Sequence, residues 1–88
     1  MLAMPRVTIY TTPMCPYCVR AKALLSKKHV EFEEVDVFMD CDARAEMKMK
    51  ASGCQTVPQI FIGDTHIGGS DDLYALDREG KLDPLLNG

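Results

Sequence analysis

The sequence has no run of about 18 apolar residues, so no membrane-spanning helix is expected. It has no basic excess either. Its 10 Lys and Arg stand against 13 Asp and Glu, a formal charge of -3, and binding to nucleic acid is not expected. Arg20, Lys22, Lys27 and Lys28 do gather, but they read as a solvated helix face rather than a phosphate footprint. The first residues, Met1-Leu2-Ala3-Met4-Pro5-Arg6, are too short for a signal peptide and lack its parts. A cytoplasmic location is therefore expected, with Met4 an alternative start. Cysteines are few: Cys15, Cys18, Cys41 and Cys54, where a secreted scaffold this small usually carries a denser, regularly spaced set. There is no internal repeat, low-complexity tract or linker. These absences leave one domain over residues 1–88, with residues 1–5 a disordered extension.

What is present reads as alternating strands and helices. With 47% hydrophobic and 26% charged residues, the composition is that of an ordinary folded protein. Residues 6–10 alternate, with Val7 and Ile9 on one side, as in a strand. Thr12-Pro13-Met14 breaks that run. A helix is expected over residues 15–29, with Pro16 in its first turn and Tyr17, Ala21, Leu24, Leu25 and Lys28 along one track. Residues 32–37 are rich in β-branched and aromatic side chains, which gives a second strand and a parallel βαβ unit. A helix over residues 42–51 follows, with Ala43, Met47 and Ala51 on one face and Gly53 as its stop. Residues 59–62 and 65–67 form a hairpin around Gly63-Asp64. Ser70 is expected to cap the next helix, with Asp71 and Asp72 in its first turn, Leu73 and Leu76 facing inward, and Gly80 as its end. A last short helix is expected from Asp83-Pro84. The packing that suits this order is a four-stranded mixed sheet with helices on both faces, the thioredoxin-like α/β arrangement.

The chemistry centres on Cys15-Pro16-Tyr17-Cys18, between the first strand and the first helix. The thiolate is the reactive species in disulfide exchange. A helix start presents unpaired N–H groups and the positive end of the dipole, and both stabilise an anion. Cys15 at the helix mouth is the expected nucleophile. Cys18, one turn in, is more enclosed and resolves a mixed disulfide. Tyr17 offers a flat apolar wall. Two cysteines at this spacing also serve zinc, but zinc ribbons usually supply a second close pair, and Cys41 and Cys54 are far apart. No metal is expected. Cys41, flanked by Asp40 and Asp42, has neighbours that disfavour a thiolate. Met39, Met47 and Met49 read as packing, and neither His29 nor His66 receives a catalytic role.

The strings CPYC, VRAKALL, TVPQIFI and GGSDDLYAL, in this order, resemble the glutaredoxin family, and most closely its small bacterial dithiol members. The resemblance covers nearly the whole chain from Arg6 onward. It implies a glutathione-dependent thiol–disulfide oxidoreductase that reduces protein–glutathione mixed disulfides and protein disulfides, with glutathione as co-substrate and a role in cell redox homeostasis. Cys15 and Cys18 are then catalytic. Tyr17, Thr56, Val57, Pro58, Ser70 and Asp71 are the implied glutathione contacts. Pro58 is cis and faces the cysteines, Val57 lends its backbone to the cysteinyl part, and Ser70 and Asp71 hold the γ-glutamyl end. Glutathionylated or disulfide-bearing proteins are the implied partners, and a monomer is expected.

The alternative is a dimer that holds a glutathione-ligated [2Fe–2S] cluster, which Pro16 disfavours by analogy with the family. A third reading is a thioredoxin-type protein reduced by a flavoenzyme, against which the GGSDD segment argues. Two departures from the family pattern stand out. Thr12 occupies a place where a Lys is common, three residues before the nucleophile. Ser70 stands where some relatives carry a Cys. Gln55 or Gln59 is a partial substitute for that Lys.

Overall fold

The structure, a computed structural model, describes residues 6–53 and 56–86. The expected extension at residues 1–5, Met4 within it, and Cys54 and Gln55 lie outside the described residues.

Eight elements follow one another: β1 (Val7–Thr11), α1 (Pro16–Lys27), β2 (Phe32–Asp36), α2 (Cys41–Lys50), β3 (Gln59–Ile62), β4 (Thr65–Gly68), α3 (Ser70–Arg78) and α4 (Leu82–Leu86). The strands form one sheet in the order β2-β1-β3-β4. β1 runs parallel to β2 and antiparallel to β3, and β3 runs antiparallel to β4. A parallel pair needs a long crossover, which α1 supplies, whereas the hairpin needs only the Gly63-Asp64 turn. This is the mixed thioredoxin-like sheet that the order of elements predicts.

β1 lies inside the sheet and is buried on both faces, so its side chains divide between two cores. Val7 and Ile9 pack with Leu24, Leu25, Leu73 and Leu82 under α1, α3 and α4. Tyr10 packs with Met47, Ala51 and Phe61 under α2. The Tyr10 and Phe61 rings meet edge to face at 5.7 Å, a favoured aromatic geometry. Helices therefore cover both faces, as expected.

The three longer helices end alike. A residue with left-handed backbone follows each: His29 at φ 59, Ser52 at φ 58 and Gly80 at φ 72. The next N–H then reaches back to the last turn: Val30 to the Leu25 carbonyl at 3.1 Å, Gly53 to Lys48 at 2.8 Å, Lys81 to Leu76 at 2.9 Å. Only Gly80 matches the simple glycine stop. The predicted extension of α1 to residue 29 fails because His29 has already left the helix. The stop of α2 begins at Ser52, one residue before Gly53.

Other expectations shift by small amounts. α2 starts at Cys41, with the Asp40 carboxylate accepting from the Ala43 N–H at 2.9 Å. α4 starts at Leu82, which is fully buried. Met47 packs as expected, but Met39 and Met49 are 84% and 80% exposed. α2 presents one narrow stripe to the sheet, and Met49, two residues past Met47, falls on the opposite side of the helix. On α1 the inward track holds for Ala21, Leu24 and Leu25, joined by Cys18. Tyr17 leaves it and is 53% exposed, at the helix end that overlooks the site.

Candidate active site

β1 delivers the chain to a turn at Thr12-Pro13-Met14, where Met14 takes φ 60 and stands almost fully exposed. That turn places Cys15 in extended backbone as the N-cap of α1, with Pro16 at the first helical position. The Cys15 Sγ accepts the Cys18 N–H at 3.3 Å. A sulfur here does what a Ser or Asp oxygen does at other helix starts: it satisfies an orphan donor. Cys15 is half-buried and Cys18 is buried.

The two sulfurs sit in unlike surroundings. Burial pushes the Cys18 thiol up to about 11, and its hydrogen bond with Cys15 adds to the rise. The Thr12 backbone and the charge of Lys22 pull in the opposite direction without reversing it. Lys22 is itself held by Glu34 at 3.0 Å, whose other partner is the Thr11 hydroxyl at 2.7 Å. The Thr11 bond first, and Lys22 second, hold the Glu34 carboxyl below the usual range. Cys18 is thus a protonated thiol at neutral pH, directly beneath an accessible sulfur.

The Thr56-Val57-Pro58 loop faces the cysteines. The Val57–Pro58 bond is cis. The Val57 carbonyl oxygen lies 3.9 Å from the Cys15 Sγ, within reach of a thiol donor. On its other side the loop meets the start of α3, where a side chain built at Gly69 would come within 3.5 Å of the Pro58 carbonyl. An open cleft of about 420 Å³ runs along this seam. Tyr17, Thr56, Val57, Pro58, Ser70 and Asp71, the six residues named from the resemblance, all line it.

The cap of α3 differs from the sequence reading. The N-cap is Gly69, and Ser70 is the first helical residue. Asp72 reaches back to accept the Gly69 N–H at 3.0 Å. Ser70 is buried while Asp71 is exposed. The first-turn N–H groups, which have no intrahelical acceptor, look onto the cleft and offer an anion site.

Gln59 is not available as a substitute for the missing Lys. Its amide donates to the Thr56 carbonyl at 2.9 Å and the Thr56 hydroxyl at 3.1 Å, and its oxygen meets His66 at 2.6 Å. Thr12 meets Cys18 through its backbone. Sequence reasoning missed His66, Gly68 and Asp72 as parts of this site, and offered Gln59 only as a stand-in for the absent Lys. Asp72 had a signal, since an acidic residue three places after a glycine N-cap can close half a capping box. Cys41 lies apart, exposed at the start of α2.

Comparison with known proteins agrees with this geometry. A family profile described as Glutaredoxin matches residues 7–67. A glutaredoxin of Pseudomonas aeruginosa is 58% identical over 84 residues, covering 96% of this chain and 99% of that protein. The chain belongs to the glutaredoxin family. The solution structure of the Brucella melitensis glutaredoxin superposes with a TM-score of 0.83 at 60% identity, covering 96% of this chain and 90% of that one. A buckwheat glutaredoxin–glutathione complex superposes with a TM-score of 0.83 at 31% identity, covering 93% of this chain and 76% of that one. As a glutaredoxin, the chain is a glutathione-dependent thiol oxidoreductase with the thioredoxin-like fold of its relatives. Among the described residues, no helix is long and apolar enough to cross a membrane.

Proposed function

We propose that the chain acts as one glutaredoxin domain that reduces protein–glutathione mixed disulfides through Cys15, and protein disulfides through Cys15 and Cys18 together. The observation that carries this reading is the placement of the Cys15 sulfur. It caps α1, accepts the Cys18 N–H at 3.3 Å, and faces the Val57 carbonyl beside a cleft lined by all six candidate glutathione contacts.

The Cys15 thiolate attacks the glutathione sulfur of a mixed disulfide. A Cys15–glutathione bond forms, the substrate S–S bond breaks, and the protein thiolate leaves and takes a proton from solvent. A second glutathione, as thiolate, attacks the bound glutathione sulfur. Oxidised glutathione leaves and the Cys15 thiolate returns. With a protein disulfide, Cys15 first joins one protein sulfur. Cys18 then loses its proton and attacks Cys15, which releases the protein dithiol and leaves a Cys15–Cys18 disulfide for two glutathiones to reduce. Burial, the first cause of the high Cys18 value, persists through this cycle, while the charge of a Cys15 thiolate, a smaller cause, is absent once Cys15 is tied in a disulfide.

In this reading the bound tripeptide lies along the cleft. The Val57 backbone pairs with its cysteinyl unit like an added strand. The first-turn N–H groups of α3 take the γ-glutamyl carboxylate, and the Asp71 carboxylate takes the α-ammonium. Tyr17 covers the apolar side. The protein works as a monomer on glutathionylated and disulfide-bearing proteins in the cytoplasm, where the glutathione pool keeps thiols reduced. The cluster-bridging dimer is the less favoured reading. In a Cys18→Ser protein treated with oxidised glutathione, mass spectrometry of peptides is expected to show one glutathione, on Cys15. An adduct confined to Cys41, or none at all, would sink the proposed role.

A further inference from the structure

The cleft wall contains a hydrogen-bonded relay. Gln59 is the first residue of β3, directly after Pro58, and is only 3% exposed. Its side chain turns back along the loop. Both amide hydrogens are spent on Thr56, one on the carbonyl at 2.9 Å and one on the hydroxyl at 3.1 Å. A backbone carbonyl can only accept, so this pairing fixes which end of the Gln59 amide is nitrogen. The amide oxygen therefore faces His66, whose Nε2 lies 2.6 Å away and must carry the proton. The His66 ring is held in turn by stacking on Phe61, with centroids 4.9 Å apart and planes 26° apart. Phe61 belongs to the α2-side core.

We infer that His66 is a positioning residue for the bound glutathionyl group: through Gln59 it holds Thr56, and so fixes the Thr56-Val57 backbone at the spacing the ligand needs. The inference rests on the cleft being the glutathione site. Thr56, Gln59 and His66 all line that cleft, and Thr56 lies one residue from the carbonyl that faces Cys15. Thr56 is exposed, at the rim of the loop. The relay ties this exposed residue to a buried anchor through two partly buried bonds to a nearly buried side chain. Cys15 and the start of α1 take no part in it. Loosening the loop therefore weakens binding of ground state and transition state alike, and KM moves while kcat holds.

The test uses the full chain with a glutathionylated peptide, comparing wild type, His66→Leu, Gln59→Leu and His66→Gln. Glutamine at 66 can place an amide N–H near where the ring N–H stood. His66→Leu and Gln59→Leu are each expected to raise KM for the peptide roughly three- to tenfold, the range for losing a neutral buried hydrogen bond, with kcat within about twofold. The double variant is expected to be no worse than the poorer single one, because both break the same relay. His66→Gln should recover most of the loss. Unchanged KM in both leucine variants, or a fall in kcat alone, overturns the inference while leaving the proposed function intact. Wild type without turnover overturns the glutathione reading itself. A long-range proton–nitrogen spectrum of wild type in mildly alkaline buffer adds an arm free of any substitution: it is expected to show the His66 proton on Nε2. A proton on Nδ1 instead would contradict the relay.

Discussion

Cys15 and Cys18 are three residues apart, yet α1 gives them opposite environments. One sulfur caps the helix at the cleft, and the other is buried in the first turn. The burial of Cys18 has a consequence for stability. In the folded protein its thiol holds its proton to about 11, against 9.0 for the ordinary group. Above about pH 9 the unfolded chain gives up this proton while the folded chain keeps it, so the folded state binds more protons and stability falls as pH rises. Urea midpoints of the reduced protein are expected to drop between about pH 9 and 11, and Cys18→Ala should drop less over that window. Equal slopes would mean that Cys18 is not the group responsible. Gly68 is a second informative residue. It takes φ 113, and a Cβ there would run into the Asp72 carboxylate that caps α3. Gly68→Ala is expected to cost about 1–3 kcal/mol in urea denaturation, because a left-handed backbone and a displaced cap act together. A cost near zero would show that the cap can re-form elsewhere. These residues also mark what the sequence could disclose. The CxxC spacing told which cysteine would be enclosed. The tight approach of Gly68 to Asp72 depends on how β4 enters α3, and no local pattern encodes it. Likewise Gln59 and His66 meet across a hairpin whose register slips between Ile60 and Phe61, so counting residues does not pair them.

The elements were largely legible because their signals are local. Alternation marked β1, Pro16 marked the start of α1, and Gly80 marked the end of α3. The misplaced ends of α1 and α2 have a common cause: His29 and Ser52 adopt left-handed backbone without being glycine, and only the packed fold makes that worthwhile. How the helices are tied together was not legible at all. Lys28, at the end of α1, reaches Asp77 of α3 at 2.7 Å and Asp83 of α4 at 3.1 Å. The bond to Asp77, then that to Asp83, raises the Lys28 value above its ordinary one. Tyr74 adds a second tie from α3 by donating to the Arg20 carbonyl at 3.0 Å. Lys28→Gln is expected to lower the melting temperature in dilute buffer, with the difference shrinking as salt screens the pairs. A difference that is the same in dilute buffer and in molar salt would assign the loss to packing of the lysine stem instead.

Across the whole molecule, one sheet brings three distant segments to a single seam. The parallel crossover sets Cys15 after β1, the loop before β3 carries Val57 and Pro58 to it, and the return through β4 delivers the start of α3. The order of strands and helices was readable from the sequence, whereas the convergence of CPYC, TVP and GGSDD was implied by the resemblance to the glutaredoxin family. The relay behind the loop, and the use of Gly69 rather than Ser70 as the cap, emerged only from the assembled fold. In the proposed mechanism one accessible sulfur, Cys15, carries glutathione transfer while buried Cys18 serves only the dithiol route. Its most direct test is glutathione-dependent turnover of a glutathionylated peptide by wild type, Cys15→Ser and Cys18→Ser. Cys15→Ser is expected to lose all measurable turnover and Cys18→Ser to keep it. Substantial turnover by Cys15→Ser, or a dead Cys18→Ser that still folds, would contradict the account.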